Sequence, residues 1–396
     1  MTYSIFTWTN FGNLGGIQVL INSVADEISA SGHNFKLVGV QPEVREFRHR
    51  SHYVNFFDRD FEMRLLSELQ EERNSDDINI FSFNGASLSI SILIREILLR
   101  NGLSSKVILG IYHPSVFKTD SKRKITSLFS NILARRLPAN SVYFMNSECK
   151  RRNVAYLGKK FMASEIIPLP VTDLGYQWKA PATTNHINIY SVGRISKLKG
   201  YNYSSAKIAK ALHENGINLK WVIYGEGEDE DLLKSLVSGQ TLVEFQGPIQ
   251  NECFSELAQK ADLFIGMGTA AVQASQLGIP TVLAIEDSET QAHGFAFDAP
   301  AANVGEREAE RTEKEIYALI TEYFYSSFDQ RIEISRRCHK WTEQFSFPIF
   351  NKSIEALFKK IPERSDNVSY IIAKMFVGGL FIKLISVLIP EYLQHR

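Results

Sequence analysis

His186-Ile-Asn-Ile-Tyr-Ser-Val192 is an apolar run rich in β-branched residues that stops at Gly193-Arg194-Ile-Ser-Lys-Leu-Lys199-Gly200, and a long amphipathic segment follows. That order is a strand, a basic loop punctuated by glycine, and a helix. Such a junction can aim backbone N–H groups and the cations of Arg194 and Lys199 at one anion, since a helix N-terminus carries roughly half a positive charge of its own. The plain alternative is a solvated surface turn, the usual setting of arginine and lysine.

The same grammar extends in both directions. Upstream, Tyr3-Ser-Ile-Phe-Thr-Trp8 reads as a strand, Gly12-Asn-Leu-Gly15-Gly16 as a glycine loop, and Ile17, Leu20, Ile21, Val24, Ala25 and Ile28 as one face of a helix. Gly32-His33 closes that helix, and Phe35 to Val40 supplies the next strand, so parallel pairing with a right-handed crossover is expected. Ile78 to Phe83, Lys106 to Tyr112 and Ser141 to Met145 read as further strands with helices between them. Downstream, strands and helices alternate to about Val282, and Ser327 to Phe345 and Pro348 to Lys360 read as late helices. Residues 173–185, which contain Pro181 and lack periodicity, read as a linker between two α/β halves.

Composition bounds the function. A chain of 396 residues with 44% hydrophobic residues can build two sizeable cores. Its 44 basic and 44 acidic residues balance, which argues against a polyanion such as DNA as partner. Cys149, Cys253 and Cys338 are scattered, so neither a disulfide framework nor a zinc site is indicated. No basic and apolar leader precedes the first strand, and the expected setting is the cytoplasm.

Val192-Gly-Arg-x-x-x-x-Lys-Gly200 resembles the diphosphate-binding turn of glycosyltransferase family 4, enzymes of the GT-B fold. By that resemblance Arg194 and Lys199 grip the donor diphosphate, and Gly193 belongs to the same turn. Leu219 to Gly227 looks like the family's second strand and its Gly-x-Gly turn, with Gly225 in the turn. Val243 to Ile249 looks like the short strand whose turn, at Gly247, holds the base. Ala261 to Ile265 and Ala274 to Val282 resemble the strand and helix flanking the sugar-binding loop. Gly15 and Gly16 resemble the family's opening glycine loop, which faces the donor; an ordinary turn needing φ > 0 is the alternative. His113, at the end of a strand and before Pro114, resembles the family's catalytic-region histidine. Asn146-Ser147-Glu148-Cys-Lys-Arg151 looks like a Ser-x-x-x-Arg stretch, although a helix capped by Ser147 is the simpler reading.

The resemblance frays at the sugar loop. The family carries two glutamates with seven residues between them; here the second is Gln273, and Ile265 to Val272 contains no acid. The loop is also shorter. Gly266-Met-Gly268-Thr269 instead resembles the compact glycine loop of lipid-linked UDP-GlcNAc transferases, and free N–H groups of Gly268, Thr269 and Ala270 would suit a diphosphate. Gln273 can still bond a ribose hydroxyl. Asp287, Glu289 or His293 could approach the same space, but a mobile surface loop is the plain reading there.

The expectation is therefore a GT-B protein: an N-terminal Rossmann-like acceptor domain (1–172), a linker (173–185), a C-terminal donor domain (186–345) and a crossover helix (346–365). Residues 366–396 form an apolar tail in which Tyr370 to Ile389 is broken by only two charges, Lys374 and Lys383. A helix at a membrane surface and a helix packed on the first domain both suit it. The implied activity is transfer of a sugar from a UDP- or GDP-linked donor to a surface polysaccharide or lipid-linked glycan, with retention and without a metal or other cofactor. An inverting transferase, and a silent subunit that binds nucleotide and supports a partner, are the alternatives.

Overall fold

The computed structural model describes residues 3–8, 16–40, 47–71, 78–118, 124–175, 178, 186–249 and 251–361. The chain divides into two compact units, Met1–Leu169 with Phe350–Arg396, and Pro170–Ile349. Gly12, Gly15, most of 173–185 and the tail 366–396 lie outside the described residues. Among the described residues no helix is long and apolar enough to cross a membrane.

The first unit is built on seven strands, β1 (Tyr3–Thr7), β2 (Phe35–Gly39), β3 (Tyr53–Asn55), β4 (Ile78–Ser82), β5 (Ser105–Ile111), β6 (Val142–Phe144) and β7 (Glu165–Ile166). They run in the order β3-β2-β1-β4-β5-β6-β7, and each paired neighbour is parallel. Helices α1 (Gly16–Ala30), α2 (Phe61–Glu71), α3 (Leu88–Arg100), α4 (Lys124–Arg136) and α5 (Ser147–Leu157) connect them. Both faces of a parallel sheet are covered, which is why β1, β4 and β5 read as nearly continuous apolar runs. Phe6 sits between Phe35, Phe81 and Phe83 with ring centroids 5.4 to 5.8 Å apart. The buried Thr7 hydroxyl, at the end of β1, finds Ser91 Oγ at 2.7 Å and is satisfied.

In the second unit, β8 (Ile187–Val192), β9 (Leu219–Tyr224), β10 (Val243–Gly247), β11 (Leu263–Gly266), β12 (Thr281–Ala284), β13 (Gln291–Phe295) and β14 (Lys314–Glu315) stand in the order β10-β9-β8-β11-β12-β13-β14. The first five are parallel; β13 and β14 are antiparallel. The helices are α6 (Tyr201–Glu214), α7 (Glu230–Val237), α8 (Leu257–Lys260), α9 (Thr269–Gln276), α10 (Ile316–Tyr325) and α11 (Phe328–Trp341). Fully buried Trp221 donates from Nε1 to Ser191 Oγ at 3.0 Å, and Ser191 donates to the Ile265 carbonyl at 2.7 Å, so β9, β8 and β11 share one polar thread through an apolar core.

Both sheets reverse direction of strand addition beside their first strand. In the first unit β1 lies between β2 and β4; in the second, β8 lies between β9 and β11. Such a switch point opens a crevice at the carboxyl ends of the strands, where ligands of open α/β sheets settle. The last helix, α12 (Phe347–Lys360), joins the first unit from Phe350 onward. Its Phe350 meets Tyr143 and its Phe358 meets Phe81 edge-on, at 6.5 and 5.2 Å, and Lys360 pairs with Glu165 at 2.7 Å.

Candidate functional site

The carboxyl end of β8 leads into the turn read from the sequence. Gly193 to Ser196 is followed by a single 3-10 turn, Lys197–Lys199, and α6 opens at Tyr201. Ile195 anchors the turn: its side chain is fully buried, its N–H donates to the Glu226 carbonyl at 2.8 Å, and its carbonyl accepts from Asp229 N–H at 3.3 Å. This turn and the one after β9 therefore touch backbone to backbone. A Cβ on Gly225 would stand 1.9 Å from the Gly193 oxygen, and one on Gly227 would stand 2.2 Å from the Ile195 oxygen. Gly225 N–H donates in turn to the Gly247 carbonyl at 2.7 Å, and Gly247 itself has φ of 74°. The three glycines expected at the donor site thus stand together, with a packing reason for Gly225 and a conformational one for Gly247.

Lys199 and Arg194 differ. The Lys199 ammonium lies along Gly193, where a Cβ would come within 2.0 Å of Nζ. The side chain is half-buried, no carboxylate or other hydrogen-bond partner meets it among the described residues, and loss of solvation pulls it from the usual lysine range down to about 8. Arg194 is exposed and reaches the next turn instead, donating to Glu228 Oε2 at 2.9 Å. Tyr203 on α6 donates to Asp229 at 2.8 Å, and burial together with that carboxylate pushes its phenol up.

Gly268 begins α9 with φ of 72°. Its N–H is taken by the Val304 carbonyl at 2.6 Å, which corrects the expectation that it is free for an anion. Thr269 and Ala270 are half-buried in the first turn, as is Gln273 one turn further, whose amide has no hydrogen-bond partner among the described residues. The segment after β12 exposes Asp287 and Glu289 but is tied by its backbone to the neighbouring turn and helix. Asp287 N–H donates to the Leu198 carbonyl at 3.0 Å, the Glu289 carbonyl accepts from the Ser204 hydroxyl, and a Cβ on Gly200 would stand 2.8 Å from the Ser288 oxygen. His293 lies on β13, is buried, and bonds the Glu306 carbonyl through Nε2 at 2.9 Å; burial holds its imidazole below the usual range. Glu286 and Glu306, both buried, brace this region: Glu286 Oε1 accepts from Arg307 N–H at 3.3 Å, and Glu306 Oε2 from Val304 N–H at 3.1 Å. Two carboxylates in a stretch without helical or strand periodicity gave no sequence signal.

In the first unit, Gly16 is the first residue of α1, and a Cβ there would meet nothing within 4 Å. His113 follows β5, is exposed, and accepts from Ser115 N–H at Nδ1 over 3.1 Å, which places the proton of the neutral ring on Nε2. The cap of α5 is Asn146, whose Oδ1 accepts from Cys149 N–H at 2.8 Å, and not Ser147. Glu148 is fully buried. Burial pushes its carboxyl up, but Arg151 and Arg152, at 2.6 and 2.5 Å, outweigh that and hold it below its usual range.

Residues 176–290 match the family model of glycosyl transferases group 1. The chain has the GT-B fold, and this stretch of it is similar to glycosyl transferases group 1. Solved GT-B structures align over nearly the whole chain. The lipopolysaccharide outer core galactosyltransferase WaaB in its apo form is 13% identical with a TM-score of 0.58, covering 91% of this chain and all of that one. S. aureus TarM, solved with UDP and α-GlcNAc-glycerol, is 10% identical with a TM-score of 0.60 over 91% of this chain and all of its own. A glycosyltransferase from Rickettsia africae is 12% identical with a TM-score of 0.61 over 90% and 98%. No curated protein matches the chain in sequence. In this GT-B protein the family match spans the Lys199 turn, the Gly225 turn and the Gly268 helix, and it ends at Thr290, one residue before β13.

Proposed function

We propose that this protein is a nucleotide-sugar-dependent glycosyltransferase that moves a hexosyl group from a UDP- or GDP-linked donor to a surface-polysaccharide or lipid-linked glycan, with retention of configuration. The observation that carries the reading is Lys199: an ammonium without a hydrogen-bond partner among the described residues, losing solvation at a switch point, is a charge waiting for an anion. The donor diphosphate is that anion, and stabilising its developing charge as it leaves is the contribution that Lys199, with Arg194 released from Glu228, makes to the reaction. Gly193, Gly225 and Gly247 let the backbone approach the nucleotide, and Thr269, Ala270 and Gln273 lie where phosphate or ribose would be held. For Gly15, Gly16 and His113 the proposed role toward the donor rests on the family resemblance alone. The galactosyltransferase activity named for WaaB and the UDP bound to TarM support a nucleotide-sugar donor. The protein works in the cytoplasm, with residues 370–389 as a peripheral membrane contact.

A second reading, a silent nucleotide-binding subunit, is favoured by Gln273 and by the absence of any acid in Ile265 to Val272. Turnover of a panel of nucleotide-sugars separates the two. The transferase reading expects release of UDP or GDP from at least one donor, lost in Lys199→Met; nucleotide binding without turnover of any donor establishes the silent subunit.

A further inference from the structure

The first unit carries a second surface of distinct chemistry along β7, the edge strand of its sheet. Three contacts gather it. The Ser164 hydroxyl donates to the Ala139 carbonyl at 2.7 Å, the Asn140 amide donates to the Lys360 carbonyl, and Lys360 pairs with Glu165 at 2.7 Å. The turn before β6, the segment 159–166 and the end of α12 therefore lie side by side. This surface exposes Met162 and Ile166, at 60% and 42% of their areas, although β7 is the last strand of its sheet and Ile166 has no strand outside it. Exposed Lys159 and Lys160 lie in the same segment as Met162 and Ile166, and exposed Lys359 and Lys360 end the neighbouring helix, where Lys360 pairs with Glu165.

We propose that this edge docks on an anionic lipid bilayer. Exposed apolar side chains on segments that also expose lysines have the composition of an interfacial contact: the apolar groups enter the headgroup boundary while the cations meet lipid phosphates. The position of the chain end identifies the occupant. α12 ends beside the patch, and the residues that follow Ile361 include 370–389, apolar but for Lys374 and Lys383. The last described residue of the chain, Ile361, thus stands beside the patch. The inference rests on the peripheral membrane contact proposed for the tail and adds to it a folded surface that fixes orientation.

The test is co-sedimentation of the full-length protein with phosphatidylcholine vesicles, with and without phosphatidylglycerol. The wild type is expected to bind the anionic vesicles, and Met162→Glu with Ile166→Glu, or Lys159→Glu with Lys160→Glu, to lower partitioning at least about tenfold while circular dichroism stays unchanged. Binding kept by both patch variants but lost in Phe376→Asp with Phe381→Asp would leave the tail as the contact and overturn the patch. A wild type that ignores anionic vesicles overturns both. A wild-type dimer, broken by the patch variants and indifferent to vesicles, would assign the β7 edge to a second copy of the chain instead.

Discussion

At the residue scale, Lys199 gives the site a pH dependence that an exposed lysine would lack. Burial lowers its folded value to about 8, so above that pH the free protein holds a neutral amine and must take up a proton to meet a diphosphate. Affinity for the nucleotide diphosphate that binds is expected to fall about tenfold between pH 7 and pH 9, while Lys199→Met shows a flat and weaker profile, by at least about 1.4 kcal/mol at pH 7. Folding responds with the opposite sign. A lysine lowered in the folded state opposes folding while charged, so its contribution to stability rises as pH climbs from about 8 toward the unfolded lysine range. Calorimetric titrations at several pH values read the first effect. Gly16 offers a cleaner separation of packing from function. Since a Cβ there meets nothing, Gly16→Ala should keep or raise stability, by up to about 1 kcal/mol for a helical position. A loss of donor affinity in a protein that melts no earlier would mean that ligand, not packing, requires the glycine; unchanged affinity would remove Gly16 from the site.

At the element scale, the turns after β8 and β9 fit together only because Gly225 and Gly227 lack side chains. Gly225→Ala would drive a methyl into the Gly193 carbonyl and is expected to cost about 1–3 kcal/mol, read as a lowered urea midpoint with an unchanged slope. In the first unit, Glu148 holds Arg151 and Arg152 at the opening of α5. Its folded carboxyl lies below the unfolded value, so its contribution is complete above the ordinary glutamate range and is lost as pH falls through the folded value; Glu148→Gln should flatten the acid limb of unfolding. Strands β1, β4, β5, β8 and β9 were legible because buried parallel strands leave long apolar runs, and the loop from Gly193 to Gly200 because glycine and charge interrupt such a run. β3, β7 and β14 were not legible, since two or three residues carry no period. β13 was hidden for another reason: Gln291-Ala-His-Gly-Phe295 holds a histidine and a glycine that its buried, antiparallel position tolerates only because the Glu306 carbonyl meets His293. The bond between Gly268 N–H and Val304 is likewise tertiary, joining residues that no local pattern links.

At the scale of the whole molecule, the chain passes from the first unit to the second at Leu169–Pro170 and returns at Ile349–Phe350, so the first unit is completed only by the last described helix. α12 has the sequence pattern of an ordinary amphipathic helix; what it packs against could not be read from that pattern, because the partners lie more than two hundred residues earlier. Phe358 meets Phe81 on β4, Phe350 meets Tyr143 on β6, and both phenylalanines are buried. Phe358→Ala should therefore act on the unit distant in sequence, costing about 3–5 kcal/mol of its stability by the usual cost of emptying a phenylalanine site. The nucleotide-binding residues proposed here, Lys199, Gly193, Gly225, Gly247, Thr269, Ala270 and Gln273, all stand in the other unit. Calorimetric melting of the variant should thus show the first-unit transition moved to lower temperature, while the affinity for nucleotide diphosphate measured well below that transition changes by less than twofold. A single transition lowered as a whole would show instead that the two units unfold together. A parallel fall in nucleotide affinity would show that the donor site depends on the first unit even before sugar transfer begins.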